Sequence, residues 1–314
     1  MPSLILVGDV NLMNVENSGA PFARIGETLR AADLVFANLE CLLYEPPDGH
    51  AVEHEGFFAD PEIAGEVLQS AGIAGVGLAN NVNYGAAAIL GSLARLDRLG
   101  IRHTGAGPDL AAARAPAIAD CGELRVGFLQ RSSVYWPTDH EATAKGCGIA
   151  VIRGHTAYQV PAHKTRPDIP PMNRPGIPPI VVTWADREYL AAFTEDIAAL
   201  RREADIVIGH GPHCSLPVEI YRGKPIFYGL GSFSFHTGHG GRRHGDWIGM
   251  LARCEIARGG VTDARFRFVR HNAANETVLC PLADESITFG RLSERSARLG
   301  ATLTAEGDWV RIGL

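Results

Sequence analysis

The sequence predicts an α/β fold, a largely parallel sheet with helices packed on it. Two observations carry this. Through the first 130 residues, short apolar runs alternate with segments of helical periodicity. Polar residues also fall directly behind several of these runs, where the loops of neighbouring parallel strands converge on one rim.

The elements follow in order. Residues 4–7 are an apolar run and read as the first buried strand, residues 22–32 have helical spacing, and residues 34–37 are apolar again. Residues 61–71 look helical and residues 75–79 form the next strand. Residues 86–99 give the strongest helix, with Ile89, Leu93, Leu96 and Leu99 on one face and Gly100 as its stop. Residues 125–129 are another short strand. Residues 137–179 then break the pattern. The proline-dense piece 166–179 excludes a helix or a central strand, and the insertion reads as a long ordered loop over the site or a flexible lid.

The alternation resumes with a strand at 180–183, a helix at 187–202 and a buried strand at 204–208. Residues 218–221 and 225–228 flank Arg222-Gly223-Lys224 as a β-hairpin. Residues 248–256 and 264–269 read as antiparallel strands joined around Gly259-Gly260, and residues 286–299 as a closing helix. No linker interrupts the chain. The expectation is one domain over 1–314, with the insertion at 137–179 and a C-terminal β/α extension at 248–314.

With 314 residues the chain can bury a sizeable core without disulfides or a structural metal. The formal net charge is −6 and no basic run stands out, which argues against nucleic acid and an anionic membrane as partners. The N-terminus has no basic region and its apolar run is too short for a leader or a span, so it reads as a cytoplasmic protein. The six cysteines (41, 121, 147, 214, 254 and 280) form no Cys-x-x-Cys pair and read as reduced packing residues. Cys214, beside His213, reads as a small residue in a crowded loop.

Four strand ends carry the chemistry: Gly8-Asp9-Val10-Asn11, Asn38-Leu39-Glu40, Asn80-Asn81, and Gly209-His210-Gly211-Pro212-His213. Each taken alone is a plausible turn or cap. Together, carboxylates, amides and imidazoles on one rim describe a site for a divalent metal ion. His210 and His213 are also candidate general bases. The segment from His236 to Trp247 is rich in glycine and histidine, repeats the same spacing at His236 and His239, and offers Arg242 and Arg243 to an anion.

These motifs, with Ala32-Asp33-Leu34-Val35-Phe36-Ala37-Asn38-Leu39-Glu40, Gly105-Ala106-Gly107 and Ile226-Phe227-Tyr228-Gly229-Leu230-Gly231-Ser232-Phe233, make the chain resemble the CapA (poly-γ-glutamate capsule synthesis) family. That family belongs to the calcineurin-like metallophosphatase superfamily. The resemblance covers roughly residues 3 to 235. It implies a metallophosphatase-like four-layer α/β/β/α sandwich and a metal-dependent hydrolase acting on a phosphoester or amide. By carry-over, Asp9, Glu40, Asn80, His210 and His213 hold a divalent ion (manganese, iron or zinc). By the same carry-over Asn38 and Asn81 either brace the ligands or bind substrate, and His210 and His213 are catalytic. Ser232, with His236 and His239 of the glycine- and histidine-rich loop, is added from the residues themselves to the groups facing a small-molecule or peptide-like substrate.

The chain departs from the family pattern in three places. Val82 stands where the family has a histidine that assists leaving-group protonation. No His-Trp-Gly occurs, and Thr183-Trp184-Ala185 is a poor substitute. Leu-Gly-Asn-Phe has become Leu230-Gly231-Ser232-Phe233. The second departure reads as one strand–helix unit lacking before Gly209, which predicts exposed apolar surface or homo-oligomers. The loss of two imidazoles also leaves room for a non-hydrolytic member that binds a ligand or runs acid–base, epimerase-like chemistry.

Overall fold

In the computed structural model, residues 1–47, 56–136, 138–159, 180–185 and 204–314 are described. They fall into two compact units, 1–151 with 203–314, and 152–202. In the smaller unit the strands Gly154–Gln159 and Ile180–Ala185 pair antiparallel, with Thr156 opposite Thr183. The proline-dense stretch 160–179 and the helix expected at 187–202 lie outside the described residues. The strand–helix unit expected to be lacking before Gly209 concerns residues 186–203, which lie outside the described residues as well.

The larger unit is built on one ten-stranded mixed sheet. Its parallel half starts with β1 (Ser3–Asn11), followed by the short helix α1 (Gly26–Arg30) and β2 (Leu34–Leu39). Next come α2 (Pro61–Ser70), β3 (Gly75–Gly77), α3 (Ala86–Arg98) and β4 (Arg102–Thr104). The strands β1, β2, β3 and β4 lie side by side and parallel. Local chemistry explains the helix limits. The Asp60 carboxylate caps α2 by accepting from the amides of Glu62 and Ile63, both at 2.9 Å, and Pro61 occupies the first turn, where no amide is needed. Gly100 ends the α3 segment at φ 71°. The helix expected at 22–32 survives only as α1, because residues 21–25 form turns.

The strand expected at 125–129 belongs elsewhere. β5 (Ala117–Cys121) and β6 (Leu124–Phe128) form an antiparallel hairpin outside the main sheet. The hairpin docks through Phe128, whose ring stacks on Phe36 of β2 at 4.1 Å between centroids. A small second sheet follows, from β7 (Val207–Ile208), β8 (Val218–Tyr221) and β9 (Lys224–Phe227). Its order is β7-β9-β8, with β7 parallel to β9 and the expected hairpin between β8 and β9. β7 is shorter than the apolar run 204–208 suggests and only half-buried.

The chain then returns to the main sheet. β10 (Ser232–Phe235) pairs parallel with β1. β11 (Gly249–Ala257) and β12 (Gly260–His271) add antiparallel strands. After α4 (Ser286–Ala297), β13 (Thr302–Glu306) and β14 (Trp309–Gly313) complete that edge. The C-terminal segment therefore extends the main sheet itself, and the sheet is only half parallel.

Strand alternation separates the two faces of this sheet. Ile5, Val7, Val35 and Ala37 pack with helix residues Leu29, Val67, Leu68, Ile89, Leu93 and Leu96. Leu4, Leu6, Leu34 and Phe36 face the other way, into a cluster with Val218 and Phe227 of the small sheet and Leu292 of α4. The Ser296 hydroxyl on α4 accepts from the Val218 amide at 3.0 Å, which fixes that helix to β8. No helix among the described residues is long and apolar enough to cross a membrane.

Candidate metal centre

Asp9 owes its position to a defect in β1. Up to Val7, β1 is flanked by β11 on one side and β2 on the other. From Asp9 onward β10 replaces β11, and the register with β2 slips between Val7 and Asp9. Gly8 sits at this double irregularity. A Cβ there would lie 1.8 Å from the Gly231 carbonyl oxygen, so only glycine lets the two backbones meet. The same carbonyl accepts from the Asp9 amide at 2.9 Å. The carboxylate is thus held at the sheet's rim, fully buried.

Neighbouring strand ends bring the rest. Asn38, the register partner of Asp9 on β2, donates from Nδ2 to Asp9 Oδ1 at 2.8 Å. Glu40 follows β2 and is buried. His210 and His213 follow β7, with Gly211 at φ 105° and His213 itself in the left-handed region at φ 53°. A bulky residue held there marks a loop whose geometry is set by its surroundings. His213 Nδ1 lies 3.1 Å from Asp9 Oδ2, His213 Nε2 lies 3.8 Å from Glu40 Oε1, and His210 Nδ1 lies 3.3 Å from Asp9 Oδ1. One ligand atom each from Asp9, Glu40 and His213 falls within 4.8 Å of the others.

These short separations are not hydrogen bonds. Asp9 Oδ2, Glu40 Oε2 and both ring nitrogens of His210 are buried without a hydrogen-bond partner. Unmet buried polar atoms cost about 1–3 kcal/mol each, so four of them gathered in one place have the character of a ligand set. Convergent carboxylate oxygens and imidazole nitrogens suit a borderline divalent cation, and the residues fit one. The electrostatics agree. Burial opposes ionisation of Asp9, yet the adjacent imidazoles of His210 and His213 and the Asn38 amide outweigh it and hold the carboxyl well below the usual range. Burial and the charge of Asp9 push the Glu40 carboxyl well above its usual range, against a hydrogen bond from Asn80. Two carboxylates so close ionise together only when a cation lies between them.

The other expected residues are placed unevenly. Asn80 reaches Glu40, while its Oδ1 accepts from the Val82 amide at 3.1 Å. Asn81 lies in the same turn, and its carbonyl accepts from the Trp136 indole at 3.0 Å. Ser232, the register partner of Asp9 on β10, lies 3.4 Å from His213 Nδ1. His236 is buried with both ring nitrogens unpartnered, edge-on to His271 at 5.2 Å. His239 packs edge-on against Phe57 at 5.0 Å. Cys214 is exposed, and its backbone would be 2.9 Å from a Cβ on Gly231, a crowded loop indeed.

Sequence reasoning missed three supports. Gln130 donates to Asn38 Oδ1 at 2.7 Å and accepts from the Ala79 amide at 2.8 Å, which ties two strand ends together. Its signal was a polar residue just beyond an apolar run. Asn83 donates to the Leu39 and Leu78 carbonyls at 2.8 and 3.1 Å and anchors the Asn80 turn. His244 stacks on Phe235 at 3.9 Å with its ring 4.7 Å from that of His213, a contact between loops that no spacing reveals.

A family model described as bacterial capsule synthesis protein PGA_cap matches residues 3–237. The chain belongs to this family. A probable polyglutamine synthesis accessory protein of Mycobacterium tuberculosis is 35% identical over 164 residues, covering 49% of this chain and 43% of the relative. An uncharacterized protein of Sinorhizobium fredii is 27% identical over 315 residues, covering 74% and 66%. The PGA biosynthesis protein CapA of Bacillus subtilis is 54% identical over 35 residues, covering 11% and 9%. The match thus spans less than half the length of the mycobacterial relative. The α/β fold and the CapA family resemblance both stand.

Proposed function

We propose that this chain is a divalent-metal-dependent hydrolase of a phosphoester or amide in poly-γ-glutamate or capsule-type metabolism. The single observation that carries the reading is the Asp9, Glu40 and His213 cluster that could hold an ion, lined by buried, unpartnered atoms of Asp9, Glu40 and the neighbouring His210. A bound divalent ion there would polarise the substrate and lower the pKa of a water molecule. The protein's own residues do the rest. Asn38, braced by Gln130, holds Asp9 in one orientation. Glu40 supplies the second negative charge that balances the cation. The His213 loop, strained at φ 53°, keeps its imidazole aimed between the carboxylates.

A second reading is favoured by one observation. Asn80 Oδ1 is engaged by the Val82 amide, so the set has fewer free ligands than the carry-over implies. On that reading the chain binds a ligand or runs acid–base chemistry with His210 or His213 without hydrolysis.

Protein purified without chelator and analysed by mass spectrometry should carry close to one or two equivalents of manganese, iron or zinc. Aryl phosphate monoesters and diesters and γ-glutamyl anilides should be screened with and without added manganese. Turnover abolished by chelator, restored by manganese and lost in Asp9→Asn supports the hydrolase. Metal-free protein with no manganese activation sinks it, and turnover indifferent to chelator selects the acid–base alternative.

A further inference from the structure

The chain carries a net charge of −6, yet the loop behind β10, from His236 to Gly245, holds three histidines, two arginines and no acid. It is tied to the strand that bears Asp9. Just past Asp9, Asn11 Nδ2 donates to the Thr237 carbonyl at 3.1 Å. Asn14 Nδ2 donates to Thr237 Oγ1 at 3.3 Å and to the Gly238 carbonyl at 2.9 Å. The Thr237 hydroxyl donates in turn to the Met13 carbonyl. The loop also closes on itself, through the bridge between Thr237 and Arg243, the Gly238 amide on the Arg242 carbonyl at 2.9 Å, and the His244 amide on the His236 carbonyl at 3.0 Å.

This seating brings one loop side chain to the metal centre and leaves two outside. His244 Nε2 is 3.5 Å from the Ser232 hydroxyl, beside His213, but His244 is not part of the group that could hold the ion. Arg242 and Arg243 are exposed, and among the described residues their guanidiniums have neither a hydrogen bond nor an ion pair. Arg243 directly precedes His244 in this loop and Arg242 stands one residue further back, so both exposed guanidiniums are available to a ligand of opposite charge that reaches His244.

We infer that the loop from Thr237 to His244 is the anion-recognition element of this site. His244 donates a hydrogen bond to an oxyanion bound at the metal, and Arg242 and Arg243 grip a second anionic group of the same substrate. The substrate class is an oxyanion-bearing small molecule, with a phosphoryl group or paired carboxylates. The order of binding follows from charge. A cation held by Asp9, Glu40 and His213 would attract an anion, so the anion binds more tightly after the metal. The inference rests on the metal-centre reading above, and the experiment separates the two.

The full chain, with and without manganese, is titrated calorimetrically with orthophosphate and, separately, with glutarate. Manganese should raise the affinity for at least one anion, and the tighter one tells phosphoryl from carboxylate chemistry. The double variant Arg242→Gln/Arg243→Gln should weaken that anion about 10-fold or more and flatten its salt dependence. His244→Gln should weaken it about 10-fold. The manganese affinity of the arginine variant should stay within about twofold of the parent, because exposed rim charges act weakly on a buried ion. Anion affinities unchanged in both variants, or no anion binding by protein that does bind manganese, would overturn the inference and leave the metal centre standing. Failure to bind manganese would overturn the metal centre instead. Anion binding by the metal-free chain, weakened or not by the arginine variant, would then decide the loop on its own.

Discussion

Glu40→Gln gives two responses of opposite kind in one variant. In the metal-free protein, Glu40 is buried beside Asp9, and burial with the Asp9 charge drives its carboxyl toward the protonated form. Glutamine matches a protonated glutamate in shape and removes the repulsion. Metal-free stability should therefore stay within about 1 kcal/mol of the parent or rise slightly. The metal-bound protein behaves differently. A ligand that binds only the folded chain at about 100 times its dissociation constant adds about 2.7 kcal/mol. For a unit of this size that is worth roughly 5 °C in melting temperature, at about 2 °C per kcal/mol. Glutamine supplies no negative charge, so most of that shift should vanish. The assay is a pair of thermal melts, with chelator and with excess manganese, for parent and variant, checked by urea titration. A full manganese shift in Glu40→Gln would refute the role assigned to Glu40. A metal-free loss above about 2 kcal/mol would show that Glu40 holds the fold through contacts other than those described.

Three further outcomes are expected. Gly8→Ala places a methyl group against the Gly231 carbonyl and should cost about 1–3 kcal/mol while abolishing the manganese shift; retention of that shift would mean that the strand defect does not set the Asp9 position. Phe128→Ala removes the ring that docks the β5–β6 hairpin on Phe36 and should cost about 3–5 kcal/mol in denaturant titration. His236 is pushed down from 6.5 to about 4 by burial and then by the charge of His271. Its neutral form is the folded one, so its contribution is complete above about pH 6.5 and is lost as pH falls toward 4. At pH 5 the metal-free protein should have lost about 2 kcal/mol on this account. His236→Gln should flatten that part of the stability profile, and an unchanged acid slope would contradict the assignment.

Which parts of the molecule were readable in advance follows from the range of the interactions. The runs behind β1, β2 and β3 announce buried strands, and period and capping define α2 and α3, because these signals lie within a few residues of each other. The hairpin of β8 and β9 was equally local. The polar residues behind the strands pointed to one rim because parallel strands must end on the same side. Asp9, Glu40, His210 and His213 do meet there. The pairing of β5 with β6, the short and half-buried β7, and the extension of the main sheet by β11 to β14 were not legible in the same way. Each depends on which surface a strand finds, and that choice is made by contacts between residues far apart in the chain.

The residues alone determined the family, the kind of ligand atoms available and the rim on which they gather, since these follow from composition, spacing and strand direction. Only the tertiary structure decided how the atoms meet. It put Gly8 where β11 gives way to β10, left the lone pairs of Asp9, Glu40 and His210 without partners, and braced Asn38 with Gln130. It also carried His244 from a distant loop to within a ring's breadth of His213. Those arrangements arise from packing between strand ends separated by tens to hundreds of residues, which no local pattern encodes.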